Sequence, residues 1–264
     1  MSRPSMLDQA DLLIGIDDTD NVSSHGTGFL VQHLILVLEE AGEGRCLGAT
    51  RHQLLVHPAI RYTSHNSSAC ISWCAGGSPD VTRITALCAR VLEEESAEGS
   101  DPGLVVARRP VWTAPERSRE LVEFGRRAQR EVLDTGAAWR VAASSGVHAS
   151  VHGGDGGGVI GALAAVGLHA SGADGFFLWM PGIRAIEGQR TYAELRAGIP
   201  IDSARDLAGR EPSEGDAIEL GDWVRPVWRD GQAVLLLQPH TAGWSSGPLK
   251  AAWRTATREV IRRQ

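Results

Sequence analysis

An apolar strand that runs straight into three carboxylates leaves a chain few ways to fold. Residues 11–17, DLLIGID, read as a short buried strand that ends in Asp17-Asp18-Thr19-Asp20. Three carboxylates in four positions repel one another, so the arrangement costs stability unless something positive neutralises it. On an extended backbone Asp18 and Asp20 point to the same face. Magnesium is held by one or two carboxylates plus phosphate oxygens, and a strand end that presents such a pair into a crevice suits a Mg-nucleotide. The same residues also suit a solvated turn whose aspartates cap the following backbone.

The 264 residues suit one large domain or two modest ones. With 42% hydrophobic and 22% charged residues, a packed core is expected rather than disorder. No apolar run approaches the roughly 20 residues needed to cross a bilayer. The opening MSRPSMLDQADLL lacks the apolar centre of a secretory signal, so no membrane association and a cytoplasmic location are expected. Cys46, Cys70, Cys74 and Cys88 form no CxxC pair, which disfavours a disulfide scaffold and a four-cysteine zinc ribbon. The net charge of -6 means that any grip on nucleic acid needs a local basic patch. Lys250 is the only lysine, so no mechanism can draw on a lysine near the N-terminus or the glycine run.

A loop, NVSSHGTG, follows the aspartates, and Phe29 to Glu40 reads as a mostly buried helix stopped at Gly42 and Gly44. Strands are expected from Cys46 to Val56 and from Ala69 to Cys74, with His57-Pro58 stopping the first. Asp80 can cap a helix from Val81 to Glu95. The charged, glycine-bearing stretch EEESAEGSDPG marks a candidate domain boundary near Gly99. Beyond it come a strand from Leu104 to Ala107, a helix carried by Pro115 to Val132, and a small, β-tolerant stretch at 139–151. The run Gly153 to Gly158 (GGDGGG) precedes a short apolar helix, VIGALAAV, and a strand from Phe176 to Met180. This order suggests an α+β sandwich of the ferredoxin-like type. After residue 199 strands are expected at 222–228 and 232–238. A final helix from Ala251 to Arg263 would carry Arg254, Arg258, Arg262 and Arg263.

Glycine permits close backbone approach and a helix N-terminus offers unpaired N–H donors, so the run at 153–158 can cradle a phosphate. It matches neither the P-loop nor the dinucleotide fingerprint, and a flexible connector fits it as well. His52, His57, His65, His148 and His152 form no tight ligand triad and read as ordinary residues. Trp223, Trp228, Trp244 and Trp253 are expected to pack rather than to stack bases.

Two widely separated runs, GIDDTD (Gly15 to Asp20) followed by Thr27-Gly28-Phe29-Leu30, and GVIGALAAVG (Gly158 to Gly167), resemble the tRNA(Ile) 2-agmatinylcytidine synthetase family. DPGLVV (Asp101 to Val106) and LVEFGRRAQREV (Leu121 to Val132) lie between them in the same order, so the likeness spans about residues 11 to 197. The resemblance implies an ATP-dependent enzyme with a kinase-like domain and a ferredoxin-like domain, followed in the family by an OB-fold and a zinc ribbon for tRNA. In that family the C2 carbonyl oxygen of an anticodon cytidine is phosphorylated and agmatine displaces the phosphate. By motif, Asp17, Asp18 and Asp20 would hold Mg2+ and ATP, and Thr27 falls on a threonine that becomes phosphorylated in the family. Thr19, Gly156, Gly158, Ile160, Gly161 and Ala162 would border the nucleotide.

The departures all remove positive charge or RNA grip. The chain has Ser24-His25-Gly26-Thr27-Gly28 where the family reads Gly-Met-Cys-Thr-Thr, and Gly157 where an arginine is usual. Pro58 to Asn66 loosely matches a family loop but lacks its lysine and arginine, and the cysteine-rich zinc module is absent. These losses count against tRNA as substrate more than against ATP. The expected architecture is α+β: a kinase-like ATP-binding domain (1–99), a ferredoxin-like domain (100–198) and a small C-terminal β/α region (199–264). The expected activity is phosphoryl transfer from ATP to an oxygen of a small-molecule or nucleoside acceptor, with amine attack as an optional second step. Arg61 or Arg51 is the expected phosphate partner. A nucleotide-binding module without turnover, alone or as a subunit of a larger assembly, is the alternative. An RNA substrate gripped by the C-terminal arginines ranks third.

Overall fold

The computed structural model describes residues 4–21, 24, 26–62, 66–240 and 251–262. A capped turn of helix, α1 (Met6–Gln9), leads into β1 (Leu12–Asp17). Then follow α2 (Thr27–Glu40), the hairpin β2 (Arg45–Gln53) and β3 (Ser67–Cys74), and α3 (Val81–Glu95). The Asp80 carboxylate caps α3 as expected, accepting from the Arg83 N–H at 3.0 Å. Next come β4 (Gly103–Arg108), α4 (Arg109–Thr113), α5 (Pro115–Ala128), α6 (Thr135–Ser145) and β5 (His148–Val151). The chain continues through α7 (Gly158–Ala170), β6 (Phe176–Trp179), β7 (Gln189–Thr191), α8 (Tyr192–Gly198), β8 (Ser203–Arg205) and β9 (Ala217–Glu219). It ends with β10 (Val227–Arg229), β11 (Gln232–Pro239), β12 (Trp253–Thr255) and α9 (Arg258–Arg262).

The strands line up as β5-β4-β1-β3-β2-β6-β10-β11-β12-β9-β7, with β8 attached to β11. β1 lies between β3 and β4, antiparallel to both. Alternation along it divides the core. Leu12, Ile14 and Ile16 face Leu34, Ile35 and Ile84 of α2 and α3. Leu13 turns the other way, with Val105 of β4, toward Ala162 and Val166 of α7. Gly15 stands on that second face because a methyl group there would overlap the Ala162 carbonyl. Gly103 does the same against Gly158. The small residues of α7 therefore let the helix lie directly on the strands.

The mixed α/β architecture agrees with expectation, but several elements differ. The chain turns at Gly99 (φ +79°), yet the sheet continues across the expected boundary, because β4 pairs with β1 from Leu12↔Arg108 to Asp17↔Gly103. Likewise β6 pairs with β2, so strands from 1–99 and 100–198 share one sheet. Within 139–151, expected to be β-tolerant, α6 runs to Ser145. Asp134 caps it by accepting from the Ala137 N–H at 2.7 Å, and left-handed Gly146 ends it. α5 stops at Ala128 rather than continuing to Val132. The expected C-terminal helix is split. Thr255 is buried, Arg254 sits on β12, and among the described residues of this stretch only Arg258 to Arg262 are helical. Threonines at 255 and 257 disfavour a continuous helix. Arg263, Trp244, His65, His25 and Lys250 lie outside the described residues.

A buried polar chain that the histidine spacing gives no hint of ties α7 to β2 and β3. His52 Nδ1 lies 2.7 Å from Asp174, and Thr50 Oγ1 lies 2.8 Å from both His52 Nε2 and His169 Nδ1. His169 Nε2 lies 2.7 Å from Ser72 Oγ. With Asp174 ionised, His52 donates through Nδ1, Thr50 donates to His52, His169 donates to Thr50, and Ser72 donates to His169; the partners assign the tautomers. The His169 ring also stacks on Trp228 at 5.0 Å. Burial, and then the neighbouring His52, depress the His169 pKa well below its ordinary value. A depressed histidine adds stability above its unfolded pKa of about 6.5 and loses it as pH falls below that value. Urea unfolding at pH 7.5 and 5.5 should therefore show an acid loss that His169→Gln reduces. An unchanged pH dependence in the variant contradicts this assignment.

Candidate functional site

The register of the central strands brings the acidic turn and the glycine run together. Asp17 pairs across the ladder with Gly103, and Gly103 abuts Gly158 at the start of α7. The Asp18 carbonyl accepts from the Asp101 N–H at 3.1 Å, and the Thr19 carbonyl accepts from Ala97 at 3.0 Å. The turn is thus stitched to the segment that leads into β4. Asp18 adopts φ +50°, a left-handed conformation that aspartate tolerates better than most residues.

A crevice of about 310 Å³ opens at this junction. Asp17, Asp18, Asp20, Gly158, Ile160 and Gly161 line it, together with Arg61 and Tyr62 from the loop after β2. The remaining expected residues lie just outside it. Thr27 begins α2 and donates to Asp20 Oδ1 at 3.2 Å, while buried Thr19 donates to Thr27 Oγ1 at 3.3 Å. Ala162 faces the core against Gly15 and has no exposure. Gly156 does not line the crevice, because its N–H turns to Asp101, at 2.8 Å. Arg61 lines it, whereas Arg51 stands behind it, donating through Nε to Ser67 Oγ at 2.8 Å.

Asp101 is the residue that sequence reasoning passed over. Its side chain is 1% exposed, and it accepts from the N–H groups of both Gly156 and Gly157. The glycine run is expected to offer its amides to a phosphate, but two of them already hold a carboxylate. The signal was the Asp-Pro at 101–102, immediately before β4. Arg61 reaches Asp101 only at 3.9 Å and is largely exposed, so the pair contributes little.

The electrostatics favour a cation. Burial first, and then Asp101, Asp20 and Asp155, push the Asp18 pKa up to about 6 against the opposing pull of Arg61. Burial, and then hydrogen bonding with Asp155, raises Asp101, while Asp155 is held below its usual range by that bond. Among the described residues no group of three His, Cys, Asp or Glu side chains forms a ready-made metal cage. Asp17, Asp18 and Asp20 thus do not converge as a protein-only triad. A cation here would need oxygens from a ligand, as magnesium commonly does.

Asp17 lies beneath α7, where a methyl group on Gly161 would overlap its carboxylate. Burial, foremost, raises its pKa well above the ordinary value. A raised carboxyl costs stability increasingly as pH climbs above its unfolded pKa of about 3.9. Asp17→Asn should accordingly raise the melting temperature at pH 7 by roughly 2–4 °C, the shift that about 1 kcal/mol produces in a chain of this size. The gain should vanish near pH 3.5. A variant no more stable than the parent at pH 7 contradicts the burial argument.

No curated protein matches the chain. Among solved structures, a complex of TiaS with its isoleucine tRNA and ATP is 26% identical, covers 60% of this chain and 36% of its own, and gives a TM-score of 0.50. A tRNA fluorescent labeling enzyme is 27% identical over 59% of this chain and 35% of its own, with a TM-score of 0.49. Apo TiaS, a tRNA agmatidine synthetase, is 26% identical over 59% and 35%, with a TM-score of 0.48. The chain spans about a third of the length of these solved chains, at 35–36%. No helix of the described residues is long and apolar enough to cross a membrane. The family model for the TiaS TCKD domain matches residues 13–153, more than half of the chain and nearly all of the span from β1 to β5, so this chain belongs to the TiaS TCKD domain family.

Proposed function

We propose that the crevice binds Mg-ATP and that the chain transfers its γ-phosphoryl group to an oxygen of a second substrate. The observation that carries this reading is the meeting of the acidic turn and the glycine-led helix in one crevice. The solved relative with the TM-score of 0.50 is a complex with ATP and tRNA, which supports the nucleotide assignment. The residues fit the ion: like-charged, partly buried carboxylates gain from a cation, and Asp18 and Asp20 would supply its protein oxygens. Magnesium bound there supplies charge neutralisation for the phosphates.

The chain's own groups do the rest. Arg61, exposed at the rim, reaches over the phosphates and replaces its weak contact with Asp101 by a charge-assisted one. The N-terminal turn of α7 presents the positive end of a 13-residue helix to the same charge. Asp101 keeps the glycine run closed, so that this turn is set before any ligand arrives. Thr27 stands beside the carboxylates and positions Asp20 through its hydroxyl. The acceptor oxygen would approach from the side of Tyr62. A family tRNA acceptor is disfavoured by the loss of the basic loop residues.

Calorimetric titration with ATP, with and without Mg2+, coupled to an assay for ADP, tests the reading. It predicts Mg-dependent binding and acceptor-dependent ADP. Binding without ADP, for any nucleoside or RNA acceptor tried, supports the module without turnover; no nucleotide binding removes both.

A further inference from the structure

A second cavity, of about 110 Å³, lies between the end of β2 and α9. Arg51 lines it from the strand and Arg262 from the helix, with Phe176 and Ile261 as its apolar wall. Arg258, one turn before Arg262, stands over the Trp223 ring at 5.5 Å, and that ring meets Phe176 edge-on at 5.2 Å. None of Arg51, Arg258 and Arg262 forms an ion pair with a side-chain carboxylate of the described residues. The undescribed stretches contain no Asp or Glu at all. The one carboxylate on the cavity wall, Asp174, is already engaged by His52 at 2.7 Å and by Gln129 at 2.8 Å. Arg51 is half-buried, and its pKa is lowered by burial and then by repulsion from Arg262, against the pull of Asp20, with Arg258 adding to the repulsion and Asp17 to the pull. Guanidinium groups of like charge that share a hollow without a direct carboxylate partner repel one another, and an oxyanion seated between them removes that cost.

We propose that this cavity binds a phosphate group, held by Arg51, Arg258 and Arg262. Trp223 holds the Arg258 guanidinium in place through its ring face. Arg51 joins the two cavities, since its Nε donates to Ser67, which also lines the acidic crevice. A ligand whose phosphate occupies the arginine pocket therefore extends toward the carboxylates, and that phosphate belongs to the acceptor. The assignment to the acceptor rests on the Mg-ATP reading; the phosphate site itself does not.

The test is titration of the full chain with inorganic phosphate, followed by phosphorus NMR and tryptophan fluorescence, in the parent and in Arg258→Gln/Arg262→Gln. Both arginines are exposed, so the double variant retains its fold, which circular dichroism checks. Phosphate binding should weaken at least about tenfold in the variant and should persist in the parent saturated with Mg-ATP. Equal affinity in parent and variant, or complete displacement by Mg-ATP, overturns the site. If Mg-ATP does not bind at all while phosphate still depends on the two arginines, the nucleotide reading fails and the phosphate site stands. Competition with cytidine 5′-monophosphate and with the dinucleotide CpC then separates the sources. Stronger displacement by the monoester identifies a small phosphorylated acceptor, and stronger displacement by the diester identifies a nucleic-acid backbone. Displacement by neither overturns the assignment to an acceptor.

Discussion

Asp18→Asn should lower ADP formation from Mg-ATP by at least about 100-fold and at the same time make the protein more stable. Both effects have one cause. Asp18 is partly buried among like charges, and its pKa is pushed up to about 6 by burial and then by Asp101. A raised carboxyl weakens the fold as pH rises from its unfolded value of about 3.9 toward 6, and the penalty is fully developed above 6. Partial exposure to solvent discounts that penalty to about 1 kcal/mol. Asparagine keeps the shape and the left-handed backbone of Asp18 but cannot carry the charge that draws a cation. Thermal melts and steady-state ADP assays measure the two effects separately. A variant that loses activity because it unfolds would melt lower than the parent, which is the opposite sign. Unchanged turnover in a folded variant removes Asp18 from the site.

Gly103→Ala should destabilise the chain by more than about 3 kcal/mol, because its methyl group meets backbone atoms rather than a side chain. It would overlap Gly158 and the amide of Val159, where α7 starts. No rotamer change relieves a clash between two main chains, so α7 must lift from β4 and carry the glycine end of the crevice with it. For a chain of this length such a loss corresponds to roughly 6–12 °C in melting temperature. Gly77→Ala serves as the control: nothing lies within 4 Å of a methyl group there, and its backbone needs no positive φ. That variant should melt within about 2 °C of the parent. Equal effects at the two positions would contradict the close packing of α7 on the sheet.

What is legible in the sequence follows from the range of the forces involved. The DLLIGID strand, the Asp80 cap of α3 and the apolar run of α7 are written in local pattern, and the structure has each of them in place. The pairing of β4 with β1 is not local. The charged, glycine-bearing stretch around Gly99 specifies a turn, and composition does not distinguish a turn within a sheet from a linker between domains. Helix α6 escapes the apolar pattern because Ala and Ser dominate it, so its capping residues, Asp134 and Gly146, carry more information than its periodicity. At the site, the aspartates and the Gly158 region are identifiable as types of residue. Ala162 and Gly156 fall within the right segment but face the core and Asp101 instead. Asp101 itself is hidden because its partners, the Gly156 and Gly157 amides, lie 55 and 56 residues away along the chain.

The central claim is that one triphosphate bridges Asp18 and the start of α7. A crystal structure of the chain grown with Mg2+ and a non-hydrolysable ATP analogue tests it most directly. The account predicts density for the β- and γ-phosphates between the Asp18 and Asp20 carboxylates and the Gly158 turn, with Arg61 folded inward. An analogue bound elsewhere, or a filled crevice in which no phosphate approaches either segment, would contradict it.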